Sequence, residues 1–281
     1  MNGRVCIVTG ATHGIGLATA QALAALGATV LVHGRDLARA RTAAAAISRD
    51  TANPDVRAVQ ADFAELAQVR RLAQELASSL PRLDVLINNA GMLSAARGQS
   101  ADGYDLTFAV NHLAPFLFTN LLLGKLKESA PARVIVVASE AHRRATLDFA
   151  DLMNKSVSGL LPAYARSKLA NVLFVRALAA RLAGSGVTVN ALHPGFVHSH
   201  LLHGSPALLR ALLGSIARPF TLSPAQGART SVYLASAPEL AGCSGGYYRA
   251  CRLAPPSAAA QSDADAARLW QESARLTGLT A

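Results

Sequence analysis

The chain has 281 residues, 51% of them hydrophobic and 16% charged, which excludes a disordered or fibrous polypeptide and suits one large α/β domain. A net charge of +10 admits nucleic acid, an anionic membrane surface or a polyanionic small ligand as partner. Basic pairs are short (Arg70-Arg71, Arg143-Arg144) and aromatic residues make up only 5%, so no nucleic-acid interface is expected; part of the charge is assigned to a phosphate-rich cofactor and the rest to a solvated arginine surface.

Cys6, Cys243 and Cys251 show no CxxC spacing, which argues against a disulfide framework and for a reducing compartment. No signal peptide precedes the first strand and no apolar run approaches bilayer-spanning length, so a cytoplasmic protein without a membrane span is expected. Scarce lysine with abundant alanine and arginine points to a GC-rich bacterial source.

Short β-type runs alternate with longer helical stretches. Strands are expected at Val5–Gly10, Ala28–Gly34, Val56–Ala61, Asp84–Gly91, Arg133–Ser139 and Val187–His193, with a short one near Tyr247. Helices are expected at Ile15–Gly27, Leu37–Arg49, Leu66–Leu80, Tyr104–Lys127 and Ala163–Leu182. This alternation predicts an α/β fold: a single Rossmann-type, doubly wound parallel sheet of about seven strands with helices on both faces, spanning 1–281 as one domain. Ligands of such sheets sit at the carboxyl ends of the strands, and polar and glycine residues cluster after nearly every strand.

The first strand is followed by TGATHGIG. Gly10 allows a tight turn, Gly14 lets the backbone approach a pyrophosphate, and Gly16 lets the helix pack on the sheet with its N-terminal N–H groups towards the anion. Ile15 belongs to the same turn. At the end of the second strand stands His33-Gly34-Arg35-Asp36, where an acidic residue would bind the ribose hydroxyls of NAD. Gly34 removes such a carboxylate and Arg35 offers a fork of donors to a 2′-phosphate, which points to NADP(H); the alternative for Arg35 is a solvated surface arginine. Asp36 can cap the next helix. His13 can add a donor near the phosphate. Asp62, followed by Phe63, either accepts from the adenine amino group or caps the next helix.

Tyr164 and Lys168 are one helical turn apart, with Pro162 in the first turn of their helix, so both project from one face. A free tyrosine ionises near pH 10 (about 10 for a model peptide) and needs tuning; an adjacent ammonium and an oxidised nicotinamide favour the phenolate. Ser139 ends the fifth strand and Asn111 lies in the helix after the fourth, which adds weight to the pair.

TGATHGIG, NNAG (88–91), Asn111, Ser139, YARSK (164–168) and HPGFV (193–197) resemble the motifs of the short-chain dehydrogenase/reductase superfamily. The segments at 110–131, 139–144, 164–174 and 268–279 are similar to its retinol dehydrogenase-like branch, and the likeness covers essentially the whole chain. The resemblance implies that Tyr164 exchanges a proton with the substrate oxygen, that Lys168 lowers the tyrosine pKa and binds the nicotinamide ribose, and that Ser139 bonds the reacting oxygen. It implies that Asn111 supports a water relay behind Lys168. Asn88, Ala90 and Gly91 would line the adenosine ribose, and Pro194, Gly195, Val197 and Ser199 the nicotinamide; Ser199 stands where many relatives have threonine. Membrane-anchored members carry an apolar segment ahead of the first strand, and none stands before Val5 here. Relatives are often dimers or tetramers, which implies a homodimer or homotetramer.

His198, His200 and His203 have a spacing that suits a metal, but no cysteine or carboxylate joins them, and they are read as flanking the substrate mouth. The apolar stretch 201–222, with helical spacing of Leu208, Leu209, Leu212, Leu213 and Ile216, reads either as a core or dimer helix or as a substrate lid, drawn around 198–222. As a lid it implies a bulky hydrophobic small-molecule substrate, with Leu147–Leu161 as the other wall. The leading function is NADP(H)-dependent interconversion of a carbonyl and an alcohol; the alternatives are a non-redox cyclase or dehydratase on the same scaffold and a non-catalytic nucleotide-binding sensor.

Overall fold

The computed structural model of the chain describes residues 1–93, 98–156, 159–196 and 222–279. Its strands are β1 (Val5–Val8), β2 (Thr29–Gly34), β3 (Val56–Gln60), β4 (Val85–Asn88), β5 (Ala132–Val137), β6 (Val187–His193), β7 (Tyr247–Arg249) and β8 (Arg252–Leu253). They form one sheet in the order β3-β2-β1-β4-β5-β6-β7-β8. All neighbours are parallel except β7 and β8. The order reverses between β1 and β4, which creates the crevice in which such sheets bind ligands.

Side chains on β1 alternate between two cores. Val5 and Ile7 enter one, with α3 (Leu66–Ser79), α5 (Ala114–Glu128), α6 (Leu160–Arg181) and α8 (Asp263–Thr277). Cys6 and Val8 enter the other, with α1 (Gly14–Ala25), α2 (Leu37–Thr51) and α7 (Pro224–Ser236). Period-two alternation on a strand covered on both faces leaves nearly every residue apolar, which is why these strands read as continuous hydrophobic runs. The helices show the complementary pattern: α3 buries Leu66, Val69, Leu72, Ala73 and Leu76 along one stripe.

The sheet has eight strands where about seven were expected. The eighth is two residues long and turns back through Ala250 and Cys251, both at positive φ (49° and 60°), with no glycine to announce the turn. The helix expected at Tyr104–Lys127 is interrupted: α4 (Leu106–Phe108) passes into a π turn (Ala109–Leu113) before α5 begins. The whole run Leu106–Glu128 is, by length and composition, long and apolar enough to cross a membrane, contrary to the expectation that none approached that length. It is mostly buried in the fold, packed chiefly on α3, and this accounts for its apolar character.

The end of β6 leads to a neck. The Leu222 N–H donates to the Phe196 carbonyl (2.7 Å), joining the two sides of the segment 197–221. The expected lid and its three histidines fall, apart from Leu222, outside the described residues.

Candidate active site

The turn after β1 is held to the turn after β4 by side chains that sequence reasoning did not single out. Main-chain N–H groups of Asn89 and Ala90 both donate to Thr9 Oγ1 (2.9 Å each), and Asn89 Nδ2 donates to the carbonyls of Thr9 (2.8 Å) and Gly10 (3.2 Å). So close is this approach that a Cβ on Gly10 would lie 2.8 Å from Ala90 Cα, and one on Gly16 2.4 Å from the Gly10 carbonyl oxygen. Gly14 differs: its φ is +59° and a Cβ there would meet nothing. Gly14, Ile15 and Gly16 open α1, whose N-cap, His13, provides no side-chain bond to the helix. Free N–H groups at the head of a helix, beside a bare glycine face, fit a pyrophosphate.

His33 adds a cross-link. Its Nε2 lies 3.0 Å from the Ala61 carbonyl, so Nε2 carries the proton, and Nδ1 accepts from the Gly10 N–H (3.2 Å). Burial drives its pKa down to about 4, so the ring is neutral. The neighbouring Gly34 has a steric reason as well as a chemical one: any Cβ would lie 2.5 Å from the Thr12 methyl. Asp36 caps α2 by accepting from the Arg39 N–H (3.1 Å), while Arg35 lies exposed at the strand's end. Asp62 accepts from the Ala64 N–H (2.9 Å), and α3 is N-capped by Glu65 instead. The Phe63 ring turns into the core between His33 (4.5 Å) and Phe118 (5.6 Å), leaving only its main chain for a ligand. Asn88 donates to Thr119 Oγ1 (2.8 Å), and its Oδ1 is buried without a partner.

Tyr164, Lys168 and Ser139 meet at the carboxyl ends of β4 and β5. The Ser139 hydroxyl stands near the phenolic oxygen of Tyr164, where it favours the ionised phenol. Lys168, 3% exposed, donates to the Val137 carbonyl (2.9 Å) and holds its Nζ 5.5 Å from the centre of the tyrosine ring. A Cβ on Gly91 would lie 3.3 Å from that Nζ and 3.4 Å from Asn111 Oδ1, so the two groups flank one point. Asn111 sits in the π turn. Its Oδ1 accepts from the Met92 N–H (2.7 Å), and its Nδ2 donates to the Met92 carbonyl (2.9 Å) and to Ser167 Oγ (3.0 Å). The asparagine thus locks the chain after NNAG to the tyrosine helix.

Burial pushes the Tyr164 phenol above its ordinary value, with Ser139 pulling the other way, and burial lowers Lys168 to about 8. Near neutrality the pair is therefore a protonated phenol beside an ammonium. Pro194 and Gly195 follow β6 at the same edge; Gly195 has φ +90°, and a Cβ there would lie 2.4 Å from Leu222 Cδ1. Val197 and Ser199 fall outside the described residues.

Free main-chain donors on one side of the switch point, with a neighbouring phenol and hydroxyl on the other, form a scaffold of the nicotinamide-dependent oxidoreductase class. The family model for short chain dehydrogenase matches residues 4–207. The chain is 42% identical to retinol dehydrogenase 14 of Homo sapiens, over 99% of this chain and 88% of that protein. An uncharacterized protein from Mycobacterium Paratuberculosis superposes with a TM-score of 0.81 at 32% identity, covering 99% of this chain and 94% of that one. The Pseudomonas aeruginosa RhlG/NADP active-site complex superposes with a TM-score of 0.70 at 31% identity, covering 88% and 94%. The chain belongs to the short-chain dehydrogenase/reductase family, within its retinol dehydrogenase-like branch, and is an oxidoreductase of the carbonyl–alcohol type that uses a nicotinamide cofactor.

Proposed function

We propose that the protein reduces a carbonyl group on a hydrophobic small molecule with NADPH, Tyr164 acting as general acid, and that the reverse oxidation runs through the same residues. The observation that carries this reading is the meeting of Ser139, Tyr164 and buried Lys168, with the Lys168 Nζ 5.5 Å from the tyrosine ring. A protonated phenol suits reduction, because the developing alkoxide needs a proton. Tyr164 gives that proton to the carbonyl oxygen, while Ser139 Oγ–H holds the same oxygen by a hydrogen bond. Lys168 keeps an ammonium beside the phenolate that forms, favouring that charge in a site with little water. The nicotinamide, when bound, supplies the hydride. Gly14, Ile15 and Gly16 would hold its pyrophosphate through their N–H groups.

NADP(H) over NAD(H) is supported by the end of β2. Asp36, the nearest carboxylate in sequence, is committed to capping α2, and Arg35 is exposed beside a residue without a side chain. A hydrophobic substrate is supported by Phe196 and Leu161, 71% and 66% exposed, which border the catalytic edge from β6 and from the start of α6. The test is NADPH consumption against a panel of apolar ketones and aldehydes by the native chain and Tyr164→Phe. Turnover lost in the variant is the expected result. Conversion of a substrate without nicotinamide oxidation would assign the scaffold to cyclisation or dehydration instead.

A further inference from the structure

Two buried histidines join the C-terminal segment to the two turns that carry Ser139 and Asn111. His142 lies three residues after Ser139 in the 3-10 turn Glu140–Arg144 and has no exposed surface. Its Nδ1 is 2.6 Å from the Ser139 carbonyl oxygen, and its Nε2 accepts from the Ser257 N–H (3.1 Å). A main-chain N–H can only donate and a carbonyl can only accept, so the ring is neutral with its proton on Nδ1. The Ser139 carbonyl accepts a second bond from the His142 main-chain N–H (3.1 Å), and Ser139 Oγ accepts from the Ala141 N–H (3.2 Å). The orientation of the serine thus depends on where the His142 ring sits, and the ring is seated on Ser257. Arg143 reaches the same stretch, donating to the Pro255 carbonyl.

The second link has the same form. His112, directly after Asn111 in the π turn and 1% exposed, places Nε2 2.8 Å from Ser273 Oγ on α8 and Nδ1 3.4 Å from Asn171 Oδ1 on α6. Tyr104 anchors α8 further along by donating to the Leu276 carbonyl (2.8 Å).

We infer that the C-terminal segment 254–279 is a positioning element of the active site, holding Ser139 through the Ser257–His142 link and Asn111 through the Ser273–His112 link. This rests on the reading of Ser139 given under Proposed function and on Asn111 joining the chain after Gly91 to the tyrosine helix. Displacements of about 1 Å in such groups cost up to about a hundredfold in rate, so loss of either link lowers kcat while leaving substrate and cofactor binding nearly intact.

The test compares the full-length native chain with His142→Asn, which keeps a donor for the Ser139 carbonyl but loses the acceptor for Ser257, with His142→Gln, which keeps an acceptor but loses the donor, and with Ser273→Ala. Rates are expressed per NADPH-binding site, titrated by fluorescence, so that unfolded protein is not counted. The expected result is a fall in kcat of about tenfold in both His142 variants and about threefold in Ser273→Ala, with KM and NADPH Kd within about twofold. An unchanged kcat per site in His142→Asn and Ser273→Ala overturns the inference, since the links would then serve stability alone. Tyr164→Phe is measured alongside. If it retains full turnover, the proposed function fails; if it is inactive while the other variants match the native chain, only the positioning role fails.

Discussion

The two edges of the sheet spend their polar groups in opposite ways. At the amino ends of β1 and β4, Asp84 takes bonds from Arg4 (2.6 Å), from Arg82 (2.6 and 2.8 Å) and from the Val5 N–H (2.8 Å). Nearby Arg133 donates to the Leu234 and Ala237 carbonyls at the end of α7. A cleft of about 530 Å³ opens there, lined by Arg4, Asp84 and Arg133, whose polar groups bond one another or main-chain carbonyls. At the carboxyl ends Tyr164, Ser139 and Lys168 hold few bonds, Asn88 Oδ1 has none, and the head of α1 is not capped by a side chain. Groups left with bonding capacity mark the chemistry, and groups bonded to saturation mark stability.

The sharpest way to break this contrast is Tyr164→Phe. It should lower turnover by about a thousandfold with little change in melting temperature, because the lost hydroxyl serves a proton transfer more than the fold. Steady-state kinetics beside calorimetry would show it, and a variant that lost both stability and activity in step would erase the contrast.

Acid offers the next test. His33, His112 and His193, all towards the carboxyl edge, are held neutral by burial down to about 4, whereas an unfolded histidine takes up a proton near 6.5 (about 6.5 for a model peptide). Between those values the unfolded chain binds more protons, so stability should fall as pH drops from about 6.5 to about 4. Asp84 acts lower. Burial pushes its carboxyl up, but the bonds from Arg82, Val5 and Arg4 outweigh this and hold it below the usual carboxylate range. Its contribution persists above the unfolded value and disappears as pH falls through the folded one. Urea melts across pH would separate the phases, and a flat profile from 7 to 4.5 would refute the histidine part.

Asp84→Ala is the converse of the tyrosine variant. It should cost about 2 kcal/mol, discounted because Arg4 and Arg82 are partly solvated, while kcat per folded site stays unchanged. Chemical denaturation read beside activity checks both halves. Arg35→Ala should produce the smallest effect: NADPH affinity weaker by about tenfold, NADH affinity nearly constant and stability untouched. Equal losses for both cofactors would remove Arg35 from the phosphate.

Periodicity made most of the sheet and its helices legible, and β6 came out with both of its ends. It could not show β8, whose turn uses Ala250 and Cys251 at positive φ where glycine or asparagine is the usual signal. The helix α7 carries a local signal, the Ser223–Gln226 capping box. Nothing in residues 109–113 marks a π turn. In the site, Gly10 and Gly16, and the Tyr164–Lys168 pair, are readable because their spacing is local, and Ser139 because it ends a strand. His33, His142 and Thr9 were not, because each acts on a partner many residues away or through a main-chain atom. Asp36 shows the limit from the other side: the sequence offers it as a cap, and the Arg39 bond is what makes it one.

The bond between Leu222 and Phe196 has a consequence for how such a protein changes over generations. Because the chain departs and returns through one pair of neighbouring residues, the stretch between them can be lengthened, shortened or exchanged without moving any strand. Closing a loop twice as long costs only about 0.6 kcal/mol more. Changes of length between the two can therefore accumulate, one insertion or deletion at a time, while β6 and the residues at its carboxyl end stay where they are.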